Sequence, residues 1–243
     1  MTEALLKKGV NVSAACQKNY YKEKYGLTDE EWEEYKNVPN CLGEFYKLLK
    51  QLKISNPKDQ IKLCKNDDVG LVRECKDCAA DQKTIVNLDH DRARDMLKCA
   101  ADKLYNYDGS TPLDVKLALE ANFGGANKEI LADFLSFMCK YVKFNSADCN
   151  YIRENNGSGG CGPLTFAWTI PATHLADVRL CDPMYWNETN LERSGTLIHE
   201  WFHNYYIAGD WAYDWQGKYS ELNLLKALTN ADSFSELIKD LCN

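Results

Sequence analysis

Eleven cysteines in 243 residues constrain this chain more than any other feature. Thiols at that density are several-fold above the usage of a reducing compartment, so the folded form is expected to be cross-linked and secreted or otherwise held where disulfides persist. The odd number leaves at least one thiol outside any intrachain pair. Cys75 and Cys78 form a lone C-x-x-C with no second pair at zinc-ribbon spacing, and disulfides account for the set better than a structural zinc site. The opening stretch Met1-Thr-Glu-Ala-Leu-Leu-Lys-Lys8 lacks the apolar segment of a signal peptide, which leads us to expect a mature chain or another export route. Sequons at Asn11, Asn156 and Asn187 are compatible with a secretory route.

Composition removes several function classes. Twenty-nine Lys and Arg against 36 Asp and Glu give a net charge of −7, which speaks against a nucleic-acid partner held by general electrostatics. Charges such as Lys140 and Lys143 interrupt every apolar run before it reaches the roughly 18–20 residues of a membrane span. A monomer is expected.

Along the chain, residues 1–75 read as a Cys-rich segment of short helices, stapled rather than built on a large core, with an exposed acidic face at 29–34. Apolar spacing predicts helices over about 83–105, 113–122 and 127–142, and places Cys99 and Cys139 on faces from which they would bridge two packed helices. The stretch from Asn155 to Pro163 is a loop by composition. After it, 164–170 and 176–181 are short β-rich runs joined by a turn, a small hairpin or a pair of edge strands. A helix is predicted over about 190–207, with Asn190 or Ser194 as N-cap and Gly209 just past its end, and a final helical pair over about 218–241. Asp89-His90-Asp91 is expected to be a solvated helix start rather than a metal site, and His174 a surface residue in a turn.

The 190–207 helix contains His199-Glu200-Trp201-Phe202-His203, an H-E-x-x-H. Two His at i and i+4 share one helix face, so both imidazoles can reach a single ion, and Glu200 lies beside them as a non-ligand acid. That is the donor arrangement of a catalytic zinc centre, one Zn2+ per chain, whose bound water Glu200 would deprotonate. The third ligand is open on spacing alone. Tyr206 and Gly209 stand where a metzincin needs Gly and His, leaving Asp210, Asp214 or the more distant Glu221. Tyr213 is placed to donate to an oxyanion. Trp201, Trp211 and Trp215 gather near the motif, Trp201 as packing.

The sequence here resembles the aspzincin metallopeptidases, the deuterolysins and peptidyl-Lys metalloendopeptidases. The resemblance runs over about 76–243 and rests on the H-E-x-x-H, on Asp210-Trp-Ala-Tyr213, on Ser194-Gly-Thr, on Thr165-Phe-Ala-Trp-Thr-Ile-Pro171, on Leu180-Cys-Asp-Pro-Met-Tyr-Trp186 and on Asn230-Ala-Asp232-Ser-Phe. It implies a mainly α (α+β) protein: a zincin-like helical catalytic domain with a small β-hairpin at the cleft, preceded by the 1–75 segment. It implies His199, His203 and Asp210 as metal ligands, Glu200 as general base and Tyr213 as transition-state stabiliser. Trp168, Trp211 and Asp232 are the expected substrate contacts, and Cys78–Cys149 and Cys161–Cys181 the disulfides. Ser235 stands where lysine-specific members carry an acid. The implied function is a zinc endopeptidase acting on a protein or peptide; the alternatives are a secreted toxin or effector whose 1–75 segment binds a partner or host target, and a zinc-binding protein without catalysis.

Overall fold

The computed structural model of the protein describes residues 74–109, 112–124, 128–144, 151–170, 177–206 and 208–243. The expectations for residues 1–73, for His174 and for Cys149 lie outside the described residues. The elements are β1 (Cys75–Lys76), α1 (Ala80–Asn106), α2 (Leu113–Phe123), α3 (Lys128–Phe144), β2 (Tyr151–Asn155), β3 (Ala167–Trp168), β4 (Val178–Asp182), α4 (Met184–Asn187), α5 (Asn190–Trp201), a π-type turn (Phe202–Tyr206), a 3-10 turn (Gly217–Glu221), α6 (Leu224–Ala227) and α7 (Ala231–Cys242). Among the described residues the fold is mostly helical with one small mixed sheet. Among the described residues, no helix is long and apolar enough to cross a membrane.

The helices form where apolar side chains recur at helical spacing and bury that face. In α1, Val86, Ala93, Leu97, Ala100 and Leu104 are fully buried, and in α3 so are Leu131, Leu135 and Val142. These two helices pack on each other, and α5 and α7 pack on α1 and on one another. At the centre, Phe234 of α7 stacks on Phe202 with ring centroids 4.2 Å apart and meets Phe123, Phe134 and Tyr206 at 5.0, 6.0 and 5.7 Å. This aromatic cluster lies directly beneath the turn that follows α5.

The strands run in the order β1-β2-β4-β3. β1–β2 and β2–β4 are parallel, and β3 pairs antiparallel with β4 in the register Ala167↔Leu180 and Trp168↔Arg179. The expected hairpin is therefore present in shorter form, but two parallel strands extend it. β3 is the terminal strand and packs against α5. Cys161 and Cys181 are joined, the pair the resemblance implies.

Several sequence expectations are corrected. Cys78 bonds to Cys75, not to Cys149, because Asp77 adopts a left-handed conformation (φ 62°) that folds the chain back and brings the two Cα atoms to 5.5 Å. Cys99 bonds not to Cys139 but to Cys242, since α1 packs along α7. Cys139 has a disulfide partner outside the described residues. The N-cap of α5 is Thr189, whose extended backbone lets its hydroxyl accept from the Glu192 N–H at 3.2 Å; Asn190 and Ser194 are already inside the helix. The expected helical pair over 218–241 is present as the four-residue α6 and the longer α7, preceded by a 3-10 turn.

Asp89 and His90 are not at a solvated helix start. They lie in the interior of α1 and are buried. Asp89 receives Arg193 through Nε at 2.6 Å and Nη2 at 3.2 Å, and the Tyr185 hydroxyl at 3.0 Å. Ser194 Oγ donates to the Asp89 carbonyl at 3.1 Å. A charged triplet has thus become a strut tying α1 to the start of α5.

Candidate metal centre

α5 delivers His199 and Glu200 in its last turn, and the wider π-type turn that follows delivers His203. Such turns insert into helices mostly at functional positions. The Ala208 N–H donates back to the Phe202 carbonyl at 3.1 Å, closing the turn. Gly209, just past the predicted helix, does not adopt a positive φ. Gly209 is instead bonded to the segment before α7, its N–H donating to Thr229 O at 2.8 Å and its carbonyl accepting from Ala231 N at 3.0 Å. That backbone bridge sets the chain direction, so no left-handed residue is needed.

The bridge brings Asp210 onto the histidine pair. Asp210 Oδ1 lies 3.1 Å from His199 Nε2 and 3.2 Å from His203 Nε2, and the two Nε2 atoms are 2.9 Å apart. Tautomers follow from the partners behind each ring. His203 Nδ1 faces the Ala208 carbonyl at 2.8 Å, and a carbonyl only accepts, so Nδ1 carries the proton. His199 Nδ1 faces Asp232 Oδ1 at 3.5 Å in the same sense. In the neutral rings both Nε2 lone pairs and a carboxylate oxygen converge on one point, an arrangement that repels itself until a positive charge is placed there. Ligands about 2.0–2.1 Å from a tetrahedral zinc are about 3.3 Å apart, close to the observed spacing. Residues and geometry fit the ion.

The electrostatics carry the same message. Burial opposes a charge on His199, but hydrogen bonds to Asp210 and Asp232 and the charge of Glu200 outweigh it and raise its pKa to about 10. Burial also works against the charge of Asp210, yet its bonds to both histidines hold it well below the carboxylate range. Glu200 is pushed up by burial, with His199 and His203 pulling the other way. Its carboxylate lies within 4.8 Å of ring nitrogens of both histidines, and its buried Oε2 has no hydrogen-bond partner.

The remaining expected residues fall into place around this group. Tyr213 stacks on His199 at 5.7 Å and 11°, and its hydroxyl bonds to Asp210. Asp232 is buried, with one oxygen toward His199 and the other accepting the Asp214 N–H at 2.7 Å. Trp211 is partly exposed, its indole N–H donating to Thr229 Oγ1 at 3.0 Å. Trp168, on β3, donates to Glu154 Oε2 at 2.7 Å and lies under the Arg179 guanidinium at 4.8 Å. Glu221 is exposed on the 3-10 turn, and Asp214 faces Asp232 and Glu236 instead of the histidines. Asn230 was missed as a site residue. Its fully buried amide accepts from Trp211 N at 2.9 Å and Ala212 N at 3.3 Å and donates to Ala212 O at 2.9 Å, pinning the Asp210 loop. The Asn230-Ala-Asp232 match carried that signal, but only its acid was considered. A cavity of about 580 Å³ lies away from this centre, between α1, the start of α5 and the end of α7, and includes Leu88, Asp95 and Asn190.

Two imidazoles one helical turn apart and a loop carboxylate, beside a buried acid, form a donor set that would suit a zinc ion. Residues 123–236 match the family described as lysine-specific metallo-endopeptidase, the aspzincins. A probable neutral protease 2 homolog of Arthroderma otae is 26% identical over 137 residues, covering 52% of this chain and 37% of that protein. The family match covers a little under half of this chain, and the relative is matched over well under half of its own length.

Proposed function

We propose that the protein is a zinc-dependent endopeptidase in which His199, His203 and Asp210 hold one zinc ion and Glu200 is the general base. The observation that carries this reading is the convergence of three lone-pair donors within 3.2 Å of one another, beside a buried carboxylate oxygen with no partner. Zinc, when bound, supplies a Lewis acid that lowers the pKa of a coordinated water to roughly 7. Glu200, whose pKa burial raises, would take up the proton of the attacking water and return it to the leaving amine. Tyr213 stays protonated, because burial and the charges of Asp210 and Glu200 raise its pKa, and its hydroxyl donates to the developing oxyanion. Asp232 and the Ala208 carbonyl act from behind, fixing the two imidazoles. An extended peptide adds to the open side of β3 beside α5, in the manner of strand addition. The disulfides support an oxidising compartment as the setting of this activity.

The test is hydrolysis of unfolded casein or a peptide library by the full chain, abolished by a chelator and restored by one equivalent of zinc. Glu200→Gln should keep its zinc and lose about 10²–10⁴ in turnover. Zinc-loaded protein that cleaves nothing, or an active Gln variant, overturns the reading.

A further inference from the structure

We infer that Glu154 is a positioning residue of the endopeptidase, which acts through the indole of Trp168 to hold β3 in line for an incoming peptide. This rests on the endopeptidase reading above and concerns how that site grips its substrate. Ile152 of β2 pairs with Arg179 of β4, and Arg179 with Trp168 of β3, so these side chains share one face of the sheet with Glu154. The opposite face carries Tyr151, Val178 and Leu180, all buried in the core. Glu154 thus reaches across β4 to β3 on the side away from the core. Its side chain is nevertheless only 11% exposed. Oε2 accepts the Trp168 indole N–H at 2.7 Å, while Oε1 faces Arg179 Nη1 at 3.6 Å and accepts from Ser158 Oγ at 3.3 Å.

The glycine-rich loop closes over this group. A Cβ at Gly159 would stand 2.5 Å from Glu154 Oε1, and one at Gly160 would stand 2.9, 2.8 and 2.9 Å from Cγ, Cδ2 and Cε2 of Trp168. Near-equal distances to those three atoms put Gly160 over the plane of the indole. The Cys161–Cys181 disulfide ties the same loop to β4. All of this bears on a strand of two residues, too short to be held by its own ladder. Strand addition draws its affinity from main-chain hydrogen bonds, and an edge fixed beforehand leaves less entropy to be lost on binding. The Trp168 anchor therefore sets how well the edge of β3 receives a peptide.

The rival is direct contact, with Trp168 as a surface for the substrate. Its N–H is engaged by Glu154, a face of its ring is covered by Gly160, and the Arg179 guanidinium lies 4.8 Å from the ring centre. Polar handle and ring face are both occupied within the fold, so the indole serves the peptide through the strand.

The experiment uses the zinc-loaded full chain and an internally quenched peptide derived from casein. Glu154→Ala should raise KM roughly 3- to 10-fold with kcat within about 2-fold and zinc content unchanged, because the binding lost is shared by ground and transition states. Glu154→Gln, whose amide oxygen still accepts the indole N–H, should restore most of the affinity. Trp168→Phe keeps a ring and deletes the donor. It should raise KM as Glu154→Ala does, the double variant being no worse than either alone, and it carries the test should Glu154→Ala fail to fold. Hydrogen exchange in the absence of substrate, read by mass spectrometry, should quicken at residues 165–170 in both single variants and stay unchanged in α5. A wild-type KM in Trp168→Phe points to direct contact and overturns the inference, as do losses confined to kcat, additive effects or unaltered exchange. Zinc-loaded wild-type protein without turnover sinks the endopeptidase reading and the role in substrate binding with it, whereas unaltered exchange sinks the anchor alone.

Discussion

Ala208 contributes no side-chain chemistry, yet its carbonyl decides which nitrogen of His203 faces the metal centre. This explains how much of the site was legible at the residue scale. The pair His199 and His203, with Glu200 between, could be read from spacing because helix geometry is local. The carbonyl could not, since backbone acceptors leave no mark on residue type. The third ligand was undecided among Asp210, Asp214 and Glu221 on spacing, and the structure brings Asp210 to the histidines. Asp210→Ala should reduce zinc content severalfold, whereas Glu221→Ala should leave it unchanged, as measured by elemental analysis of purified protein. The metal-free protein has a defined pH response. His199 is raised from 6.5 to about 10, so its contribution to stability is full below pH 6.5 and is lost as pH rises toward 10. Asp210, lowered from 3.8, contributes above that pH and loses its contribution as pH falls below it. Glu236, raised by burial from 4.5 to about 7, loses stability with rising pH in the same sense as His199. Thermal melts of zinc-free protein should fall from pH 6 to pH 10, and zinc should flatten that alkaline arm by fixing His199 in its neutral form.

At the scale of elements, α5 is held at both ends by groups distant in sequence. At its start, Asp89 of α1 grips Arg193, and at its end Asn230 clamps the Asp210 loop beside α7. Breaking a buried ion pair from one side leaves the other charge stranded, so Asp89→Ala should destabilise the protein by about 3–5 kcal/mol, read by denaturant unfolding. The long helices were legible from apolar periodicity to within a few residues. β1 and β2 were not, because a two-residue strand has no period and Tyr151-Ile-Arg-Glu-Asn155 shows little alternation. Asp89-His90-Asp91 was taken as solvated because charged residues seldom bury without a partner, and the partner, Arg193, lies 104 residues away. Thr189 was passed over as N-cap because Asn190 and Ser194 offered the same side-chain chemistry. The widened turn after α5 has no sequence signature, and it displaced the glycine ending that a regular helix would have used.

Across the whole molecule, Cys99–Cys242 spans 143 residues and joins α1 to α7. In the chain-entropy model a loop of that length contributes about 5 kcal/mol. Cys99→Ser should therefore lower the unfolding free energy by several kcal/mol while zinc stoichiometry below the melting transition stays the same. Cysteine number pointed to cross-linking, but pairing depends on which helices touch, and that follows from packing rather than spacing. The resemblance to aspzincins anticipated Cys161–Cys181 and could not anticipate Cys75–Cys78, which rests on one left-handed aspartate.

The clamp made by Asn230 has a consequence for how this scaffold changes over time. One amide grips residues 211 and 212, immediately after Asp210, and a separate cap at Asn223 opens the next short helix. The span from Trp215 to Leu222 runs between these two anchors, tied once more by the Tyr219 hydroxyl, which donates to Asn122 Oδ1 at 2.6 Å. Residues there can be exchanged while Asp210 keeps its place beside the histidines, so this scaffold could alter the surface around the site without disturbing its centre.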